Sequence, residues 1–371
     1  MPARCPEAEV DRDAQRTDLR EMLLEELQVT LEEWGERPFR ALQIMNWLHL
    51  RRVNSFAEMS NLPMPLRDRL AGRFDLGPPI AAVVDRSVDG TRKLLIHLGD
   101  GEAIESVIIP ADHRLSLCLS SQVGCAMDCS FCATARMRLH RNLSAAEIVA
   151  QLDAAELYLD GGERLTNYIF MGMGEPLANY PRLLRALKIM TAQWGRAISP
   201  RRITVSTVGL VPAMRRLLAD TSVNLAVSLH ATTNEVRDAL APINHRYPLE
   251  VLLDACRDLP LPRRRRIMFE YVMLRGINDS RDDAKRLVKL LGPLRAKVNL
   301  IFFNPFVGSQ HEASSRAAVE DFQAILRKGS LVATIRESRG RDIAAACGQL
   351  WANQVGSRPK DHRAQPLTNA L

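Results

Sequence analysis

Between residues 114 and 336 the chain alternates strand-like and helix-like segments, and this alternation constrains the fold more than any other feature of the sequence. Short apolar runs such as Ile203–Ser206 and Ile267–Met273 are separated by amphipathic stretches such as Tyr180–Thr191. The pattern is typical of βα units, whose strands are parallel. Six or seven such units are too few to close an eight-fold barrel. We therefore predict an α/β fold, a partial, open barrel of the (βα)6 type.

The segment boundaries follow from the apolar periodicity. The predicted strands are Leu115–Leu119, Asn167–Met171, Ile203–Ser206, Val223–Leu229, Ile267–Met273, Val298–Phe303 and Leu331–Ile335. The predicted helices are Ser144–Leu159, Tyr180–Thr191, Pro212–Leu218, Leu249–Leu259, Ser280–Leu291 and Ser315–Arg327. Ser144 followed by Glu147 predicts a capping box, which fixes where the first of these helices begins.

Different patterns flank this region. Residues 1–16 are polar, and we expect them to be disordered. Residues 17–79 repeat apolar side chains at helical spacing and predict a small helical domain. Residues 80–110 predict a short antiparallel β meander with two Asp-Gly turns, which would link that domain to the main domain at 111–340. Residues 341–371 form a C-terminal segment that ends in a polar, flexible tail.

The charge distribution favours a polyanionic partner. The formal net charge is +7, and arginines cluster at Arg263–Arg266, Arg51-Arg52 and Arg201-Arg202. Such clusters suit nucleic acid, although a solvated charged face would look the same. No apolar run approaches the ~20 residues of a membrane helix, and the amino terminus lacks the apolar core of a signal peptide. We therefore expect a cytoplasmic protein with no membrane association.

Three of the seven cysteines lie in one short loop, Cys125-Ala-Met-Asp-Cys129-Ser-Phe-Cys132, with the spacing C-x3-C-x2-C. Thiolates this close together can bind one soft metal centre. A structural zinc ion needs four closed ligands, and the nearest further candidates are Cys118 and His140. Three ligands leave one position open, as in an iron–sulfur cube with a free iron. A zinc site and plain buried cysteines remain the alternatives.

Motifs on both sides of this loop make the sequence recognisable. In chain order they are Ser120-Ser121-Gln122-Val123-Gly124-Cys125, Arg141-Asn142-Leu143, Met171-Gly172-Met173-Gly174-Glu175-Pro176-Leu177, Arg202-Ile203-Thr204-Val205-Ser206-Thr207, Val227-Ser228-Leu229-His230-Ala231, Pro242-Ile243-Asn244, Glu270-Tyr271-Val272-Met273-Leu274, Asn299-Leu300-Ile301-Phe302-Phe303-Asn304-Pro305-Phe306 and Ala346-Cys347-Gly348-Gln349-Leu350. Their order and spacing, from about residue 20 to residue 352, resemble the RlmN/Cfr family of the radical S-adenosylmethionine (SAM) superfamily. One residue departs from the pattern: Arg138 stands where the family usually carries glycine, so the conformation of the loop from Arg136 to His140 stays open.

The resemblance implies a [4Fe-4S] cluster held by Cys125, Cys129 and Cys132, with its open iron bound to SAM and two SAM molecules used per turnover. It also implies a set of SAM contacts near strand ends. These residues are Gly174, Glu175, Ser206, Ser228, Leu229, His230 and Asn304. The placement agrees with parallel α/β architectures, in which the working side chains lie at the carboxyl ends of the strands.

Three further residues receive roles by the same resemblance. Cys347 takes a methyl group from one SAM, and its sulfur then joins the RNA base covalently. Cys118 breaks this adduct by forming a transient disulfide with Cys347, and Glu105 accepts the proton from carbon 2 of the adenine. Without the resemblance, both cysteines would be interpreted as small buried hydrophobes, Glu105 as an edge-strand charge, and Glu102 would compete with Glu105.

The implied activity is methylation of carbon 2 of adenosine in 23S ribosomal RNA and in transfer RNA. Carbon 2 lies between two ring nitrogens and is too electron-poor to attack the methyl group of SAM, so the chemistry needs a carbon radical and a strong one-electron reductant. The helical domain would bind RNA, and an external donor such as flavodoxin would supply electrons to a monomeric enzyme. The alternatives are methylation of carbon 8, as in the Cfr branch, and a non-catalytic RNA-binding protein stabilised by a metal.

Overall fold

The computed structural model describes residues 16–77, 81–262 and 264–352. The chain divides into two compact units at residue 78. Most of the segment predicted to be disordered, Arg263 of the arginine run and the polar tail lie outside the described residues.

The N-terminal unit is mostly helical. Its elements are β1 (Thr17–Asp18), α1 (Leu24–Glu33), α2 (Phe39–Asn46) with a π-helical turn after it (Trp47–Arg51), α3 (Met64–Arg73) and β2 (Phe74–Asp75). The two short strands pair in parallel, so the first and last described parts of the unit are joined. Its core contains Leu27, Leu31, Ile44, Met45 and Leu70, all fully buried. Their spacing along each helix gives one apolar face per helix, which packs inward.

The second unit is built on one ten-stranded sheet. The strands of this unit are β3 (Ala81–Arg86), β4 (Arg92–His97), β5 (Ala103–Ala111), β6 (Arg114–Cys118), β7 (Gln122–Val123), β8 (Arg141–Asn142), β9 (Asn167–Phe170), β10 (Ile203–Thr207), β11 (Asn224–Ser228), β12 (Ile267–Met273), β13 (Ala296–Phe302) and β14 (Val332–Arg336). All except β7 and β8, which pair with each other, belong to the sheet in the order β14-β13-β12-β11-β10-β9-β6-β5-β4-β3. The strands from β14 to β6 in this order are parallel. The sheet does not close, and the predicted partial barrel is confirmed.

The antiparallel meander is part of this sheet. A tight connection between Ala111 and Arg114 turns the chain back, so that Ile109 lies opposite Ser116 and β5 pairs with β6. The three strands β3, β4 and β5 therefore extend the parallel sheet at its β6 edge. The segment from Ala81 to Ala111 is not a separate linker, because its backbone hydrogen bonds continue those of the barrel.

The predicted helices are all present, with ends shifted by a few residues. The helices of this unit are α4 (Ala133–Arg136), α5 (Ala145–Glu156), α6 (Tyr180–Thr191), α7 (Val211–Asp220), α8 (Asn234–Leu240), α9 (Leu249–Asp258), α10 (Arg281–Leu291) and α11 (Arg316–Lys328). Two helices, α4 and α8, are too short to show a periodic signal and were not expected. Ser144 caps α5 as predicted, because its Oγ accepts from the N–H of Glu147 at 3.1 Å and its own N–H donates to Glu147 Oε2 at 2.8 Å.

Short 3-10 turns complete the connections. They span Leu19–Glu21, Phe56–Glu58, Pro176–Asn179, Pro200–Arg202, Pro242–His245 and Arg341–Ile343. In the ranges that the structure describes, no helix has the length and apolar character needed to cross a bilayer. The parallel strands all end at the same edge of the sheet, which places the residues that follow them around one space.

Candidate active site

A cavity of roughly 160 Å³ opens at the carboxyl ends of the parallel strands. The predicted site residues that line it are Cys125, Cys129, Cys132, Gly174, Glu175, Ser206, Ser228, His230 and Cys347. The fold thus gathers the cysteine loop (Cys125–Cys132), several strand ends and the C-terminal segment around one space.

The cysteine loop is held on two sides. Within it, the backbone N–H of Cys132 donates to the carbonyl oxygen of Cys129 at 3.1 Å. On one side, the Phe131 ring packs edge-on against the ring of His230, with centroids 4.5 Å apart. On the other, the N–H of Ala133 donates to the carbonyl oxygen of Gly348 at 2.7 Å. The loop is therefore fixed by a strand end and by the C-terminal segment together.

The atypical Arg138 adopts the conformation that a glycine would supply. Its φ is +56°, in the left-handed region that side chains normally avoid. Its carbonyl oxygen accepts from the N–H of Cys125 at 3.1 Å. Gly124 approaches so closely that a Cβ there would lie 1.6 Å from this oxygen. The contact between this stretch and the first cysteine is therefore kept without the glycine.

The three thiols of the loop suit a cluster better than a single ion. Among the described residues, no group of three or more His, Cys, Asp or Glu side chains could hold a metal ion. In an iron–sulfur cube, three cysteines bind three different irons, so their sulfur atoms need not converge as the ligands of a zinc ion do. Burial raises the pKa of Cys125 to about 12, and metal binding deprotonates such thiols. The donor set of three thiols on one loop fits a [4Fe-4S] cluster.

Arg237, on α8, is a fully buried cation beside the loop. Its guanidinium donates to the carbonyl oxygens of Val208 at 2.7 Å and Leu229 at 3.2 Å, and to Oδ1 of Asn244 at 2.9 Å. Burial raises the pKa of Cys129, and the charge of Arg237 opposes that rise. Sequence reasoning missed this residue because an arginine in a polar helical stretch is normally exposed. The contacts show that it joins the ends of β10 and β11 next to the cysteine loop.

Glu175 is a buried carboxylate at the cavity wall. Its Oε2 accepts from the N–H of Val208 at 2.8 Å, and its Oε1 accepts from the N–H of Leu177 at 3.0 Å. Burial nevertheless raises its pKa to about 7. At the preceding Gly174, whose φ is +95°, a Cβ would lie 2.5 Å from the side chain of Gln122. A buried acid at the cavity wall fits a cationic partner such as the amino group of SAM.

His230 supplies a neutral ring at the end of β11. Its backbone is left-handed, with a φ of +59°. Its Nδ1 accepts from the N–H of Val272 at 3.1 Å, and burial lowers its pKa to about 3. The ring therefore carries its proton on Nε2 and no charge. With the hydroxyls of Ser206 and Ser228 at the same cavity, it offers uncharged hydrogen-bonding groups.

Two predicted SAM contacts are placed differently from the rest. Leu229 is fully buried and does not line the cavity. The Nδ2 of Asn304 donates to the carbonyl oxygen of Cys347 at 3.3 Å, and its Oδ1 accepts from the guanidinium of Arg341 at 3.0 Å. Asn304 thus fastens the C-terminal segment that carries Cys347.

Cys118 and Cys347, here called the thiol pair, are near each other although they lie far apart in the chain. Both are free. Burial, and then the neighbouring thiol of Cys347, raise the pKa of Cys118 to about 12, whereas the charge of Arg336 opposes that rise. The Nη1 of Arg336 lies 3.6 Å from the Sδ of Met171. Arg336, which sequence reasoning also missed, gives the thiol pair a cation of its own.

Glu105 lies near the thiol pair, on β5. Only 4% of the residue is exposed, so the interpretation as an edge charge facing water is wrong. Cys118 lies opposite Val107 in the strand register, and alternation puts Glu105 on the same face. Its Oε2 accepts from the N–H of Trp351 at 2.8 Å. Glu102, the competing residue, pairs with His140 at 3.1 Å.

Glu270 is a carboxylate at the cavity to which the sequence analysis gave no role. It is 2% exposed, and its Oε2 accepts from Nδ2 of Asn299 at 2.8 Å. Its Oε1 has no hydrogen-bond partner within the described ranges. A buried polar atom without a partner calls for a donor from a bound molecule, which fits a cofactor with hydroxyl groups. The signal in the sequence was an acid inside the apolar strand Ile267–Met273.

Two family models match the chain. Residues 119–290 match the Radical SAM superfamily. Residues 17–76 match the Ribosomal RNA large subunit methyltransferase N-terminal domain.

Similar proteins span nearly the whole chain. A protein described as a dual-specificity RNA methyltransferase RlmN, from Geotalea uraniireducens (strain Rf4), is 48% identical over 336 residues, which cover 91% of this chain and 97% of that protein. A protein of the same description from Geobacter sulfurreducens is 50% identical over 342 residues, or 92% of this chain and 94% of that protein. The crystal structure of a radical SAM methyltransferase from Sphaerobacter thermophilus matches with a TM-score of 0.84 at 43% identity, covering 91% of this chain and 100% of that one.

Proposed function

The chain belongs to the RlmN family of radical SAM RNA methyltransferases, and from this premise we propose that it methylates carbon 2 of adenosine in 23S ribosomal RNA and in transfer RNA. One observation carries the proposal: Cys118, Cys347 and Glu105 lie close together beside the cavity that the cysteine loop lines. A buried thiol and a half-buried thiol next to a buried carboxylate are groups suited to covalent and acid–base catalysis.

In this proposal Cys125, Cys129 and Cys132 hold a [4Fe-4S] cluster, and SAM lies in the cavity. The SAM contacts are Gly174, Glu175, Ser206, Ser228, Leu229, His230 and Asn304. When bound, the cluster supplies low-potential electrons and SAM, used twice per turnover, supplies the methyl carbon and the radical chemistry. Leu229 and Asn304 would act indirectly, by supporting the residues of the cavity wall, since neither of them lines the cavity.

The thiols of Cys347 and Cys118 then carry out the transfer of the methyl carbon. The sulfur of Cys347 would receive the methyl group of one SAM, whose bond from sulfur to this carbon breaks. A hydrogen atom of the methyl group would then be lost to the radical chemistry that the second SAM supplies. The remaining carbon would bond to carbon 2 of the adenine and one electron would return to the cluster, so that enzyme and RNA are joined. Glu105 takes the proton from carbon 2. The thiolate of Cys118 attacks the sulfur of Cys347: the disulfide bond forms, the sulfur–carbon bond breaks, and the electron pair stays with the carbon, which takes up a proton and becomes the methyl group. An external electron donor such as flavodoxin supplies the electrons for the cluster, and the disulfide must be reduced before the next turnover.

The N-terminal unit has side chains suited to RNA. The guanidinium of Arg51 lies 4.3 Å from the ring centroid of Trp47, and that of Arg69 lies 4.4 Å from the ring centroid of Trp34. Arginines stacked on aromatic rings offer both charge for phosphates and flat faces for bases. We propose that this unit binds the RNA and that the protein acts as a cytoplasmic monomer.

The test is to react the anaerobically reconstituted protein with 23S ribosomal RNA and with transfer RNA, and to map the product by mass spectrometry. The expected product is 2-methyladenosine, and the Cys118→Ala variant should accumulate protein covalently attached to RNA. A methyl group on carbon 8 would overturn the assignment of carbon 2. Zinc in the purified protein, with no methyl group on Cys347, would overturn the proposal that the protein is a methyltransferase.

A further inference from the structure

The carboxylate of Glu105 has a charged partner inside the fold. The Nζ of Lys93 lies 3.1 Å from Oε1 of Glu105, and the two side chains are only 13% and 5% exposed. Burial of a carboxylate without a partner favours its protonated form, which cannot accept a proton. A base at this position therefore needs a neighbouring cation.

The strand register explains why Lys93 reaches Glu105. Lys93 lies opposite Val107 and Leu95 lies opposite Glu105 on the neighbouring strands β4 and β5. Lys93 and Glu105 are therefore diagonal neighbours on one face of the sheet, within reach of a long side chain. Val107 lies in turn opposite Cys118. The lysine, the acid and the thiol thus share one face.

We propose that Lys93 is a positioning residue for methyl transfer: its ammonium group pairs with the buried carboxylate of Glu105 and orients it to take the proton from the adduct. The inference rests on the proposed function, because it presumes that Glu105 is the base. A cation at this distance stabilises the carboxylate, and the low exposure of both groups limits screening by water.

Other groups on this face do not replace Lys93. Asp85 lies 3.8 Å from Lys93 and is 59% exposed, so its pull on the lysine is screened. His97 follows at the exposed end of β4, and Cys118 already has Arg336 as its cation. The C-terminal segment that covers the face brings Cys347 and the N–H of Trp351, which donates to the second oxygen of Glu105. Lys93 is therefore the cation positioned to pair with Glu105.

The experiment measures the single-turnover rate at which the covalent protein–RNA adduct is resolved, between pH 6 and pH 9, for the wild type, Lys93→Met and Lys93→Arg. In Lys93→Met, the rate at neutral pH should fall, and raising the pH should restore it, because a buried carboxylate that has lost its cation is ionised less readily. The adduct should then accumulate at neutral pH and be resolved when the pH is raised. Lys93→Arg should stay close to the wild type, because it keeps the charge. If Lys93→Met folds poorly, Lys93→Gln is expected to show the same dependence on pH.

Two controls separate the possible failures. Asp85→Asn should leave the profile unchanged, and adding Lys93→Met to Glu105→Gln should cause no further loss, because the base is already absent. A Lys93→Met profile that superimposes on that of the wild type would overturn the role of Lys93 alone. If the wild type transfers no methyl group and Cys118→Ala traps no adduct, the proposed function fails instead.

Discussion

The cysteine loop and Cys347 of the thiol pair line the same cavity, but the loop and the pair are assembled in different ways. The loop places three thiols within a few residues, and its spacing is visible in the sequence. The thiol pair exists only because β6 and the C-terminal segment come together in the folded unit. A cluster site can thus be encoded by residues that are close in sequence. The thiol pair next to it is assembled only when the whole barrel has folded.

The two groups also differ in their charge environment. Burial and the two neighbouring thiols raise the pKa of Cys129 in the loop. Such crowding of potential negative charges is tolerated once a metal centre binds the thiolates. The thiol pair has fewer like charges around it, and Arg336 opposes the rise in the pKa of Cys118. Each group therefore has a cation that opposes the effect of burial, and the two groups differ in how many thiols are crowded together.

The largest effect is expected from the removal of one thiol of the cysteine loop. Cys125→Ala should lose the cluster, because two thiolates on one loop cannot replace three, and methyl transfer should fall to background. Iron and sulfide content, with the visible absorbance of the reconstituted protein, measure the loss. The matched control is Cys256→Ala, since Cys256 is a buried free cysteine on α9 and does not line the cavity. Equal iron loss in both variants would contradict the assignment of the loop.

Local patterns in the sequence were enough to predict most of the barrel. Strand β12 and helix α6 begin and end where the periodicity placed them. Both are decided by side chains within one element, since alternation and helical spacing are short-range signals. The cysteine loop belongs to the same class, because its three ligands are close in sequence.

Features that depend on pairing between distant segments were not predicted. The meander was expected to be a linker because nothing in residues 80–110 indicates which strand β5 will pair with. Arg237 and Arg336 look like surface residues in the sequence, and only the packed structure surrounds them with carbonyl oxygens and thiols. The partner of Glu105 was missed for the same reason, because Lys93 reaches it from the neighbouring strand β4.

A medium effect tests the carboxylate next to the cysteine loop. The pKa of Glu175 is raised from 4.5 to about 7 by burial. Well below pH 4.5, Glu175 is protonated in both the folded and unfolded states. It then contributes nothing to the pH dependence of the free energy of unfolding. As the pH rises towards 7, the unfolded state ionises first, so the folded state is destabilised by up to about 3 kcal/mol.

Urea unfolding of the protein without cluster or SAM measures this effect. Between pH 5 and pH 8, the free energy of unfolding of the wild type should fall relative to that of Glu175→Gln. The exposed Glu235 provides the control, because Glu235→Gln should run parallel to the wild type. If the curve for Glu175→Gln also runs parallel to that of the wild type, ionisation of Glu175 does not destabilise the folded state.

The smallest effect concerns the N-terminal cap of α5, which takes no part in the proposed reaction. Ser144→Ala removes the hydroxyl that accepts from the N–H of Glu147, so the first turn of α5 loses a cap and the unfolding free energy should fall by about 1 kcal/mol. Thermal unfolding measures the loss, and Ser144→Asp should restore most of it because a carboxylate also caps a helix. Methyl transfer should be unchanged in both variants, since the cap, like the cysteine loop, is encoded by neighbouring residues but faces no substrate. Loss of activity in Ser144→Ala with an intact cluster would mean that α5 positions the thiol pair, and that the local and the assembled parts of the molecule are less separate than the fold indicates.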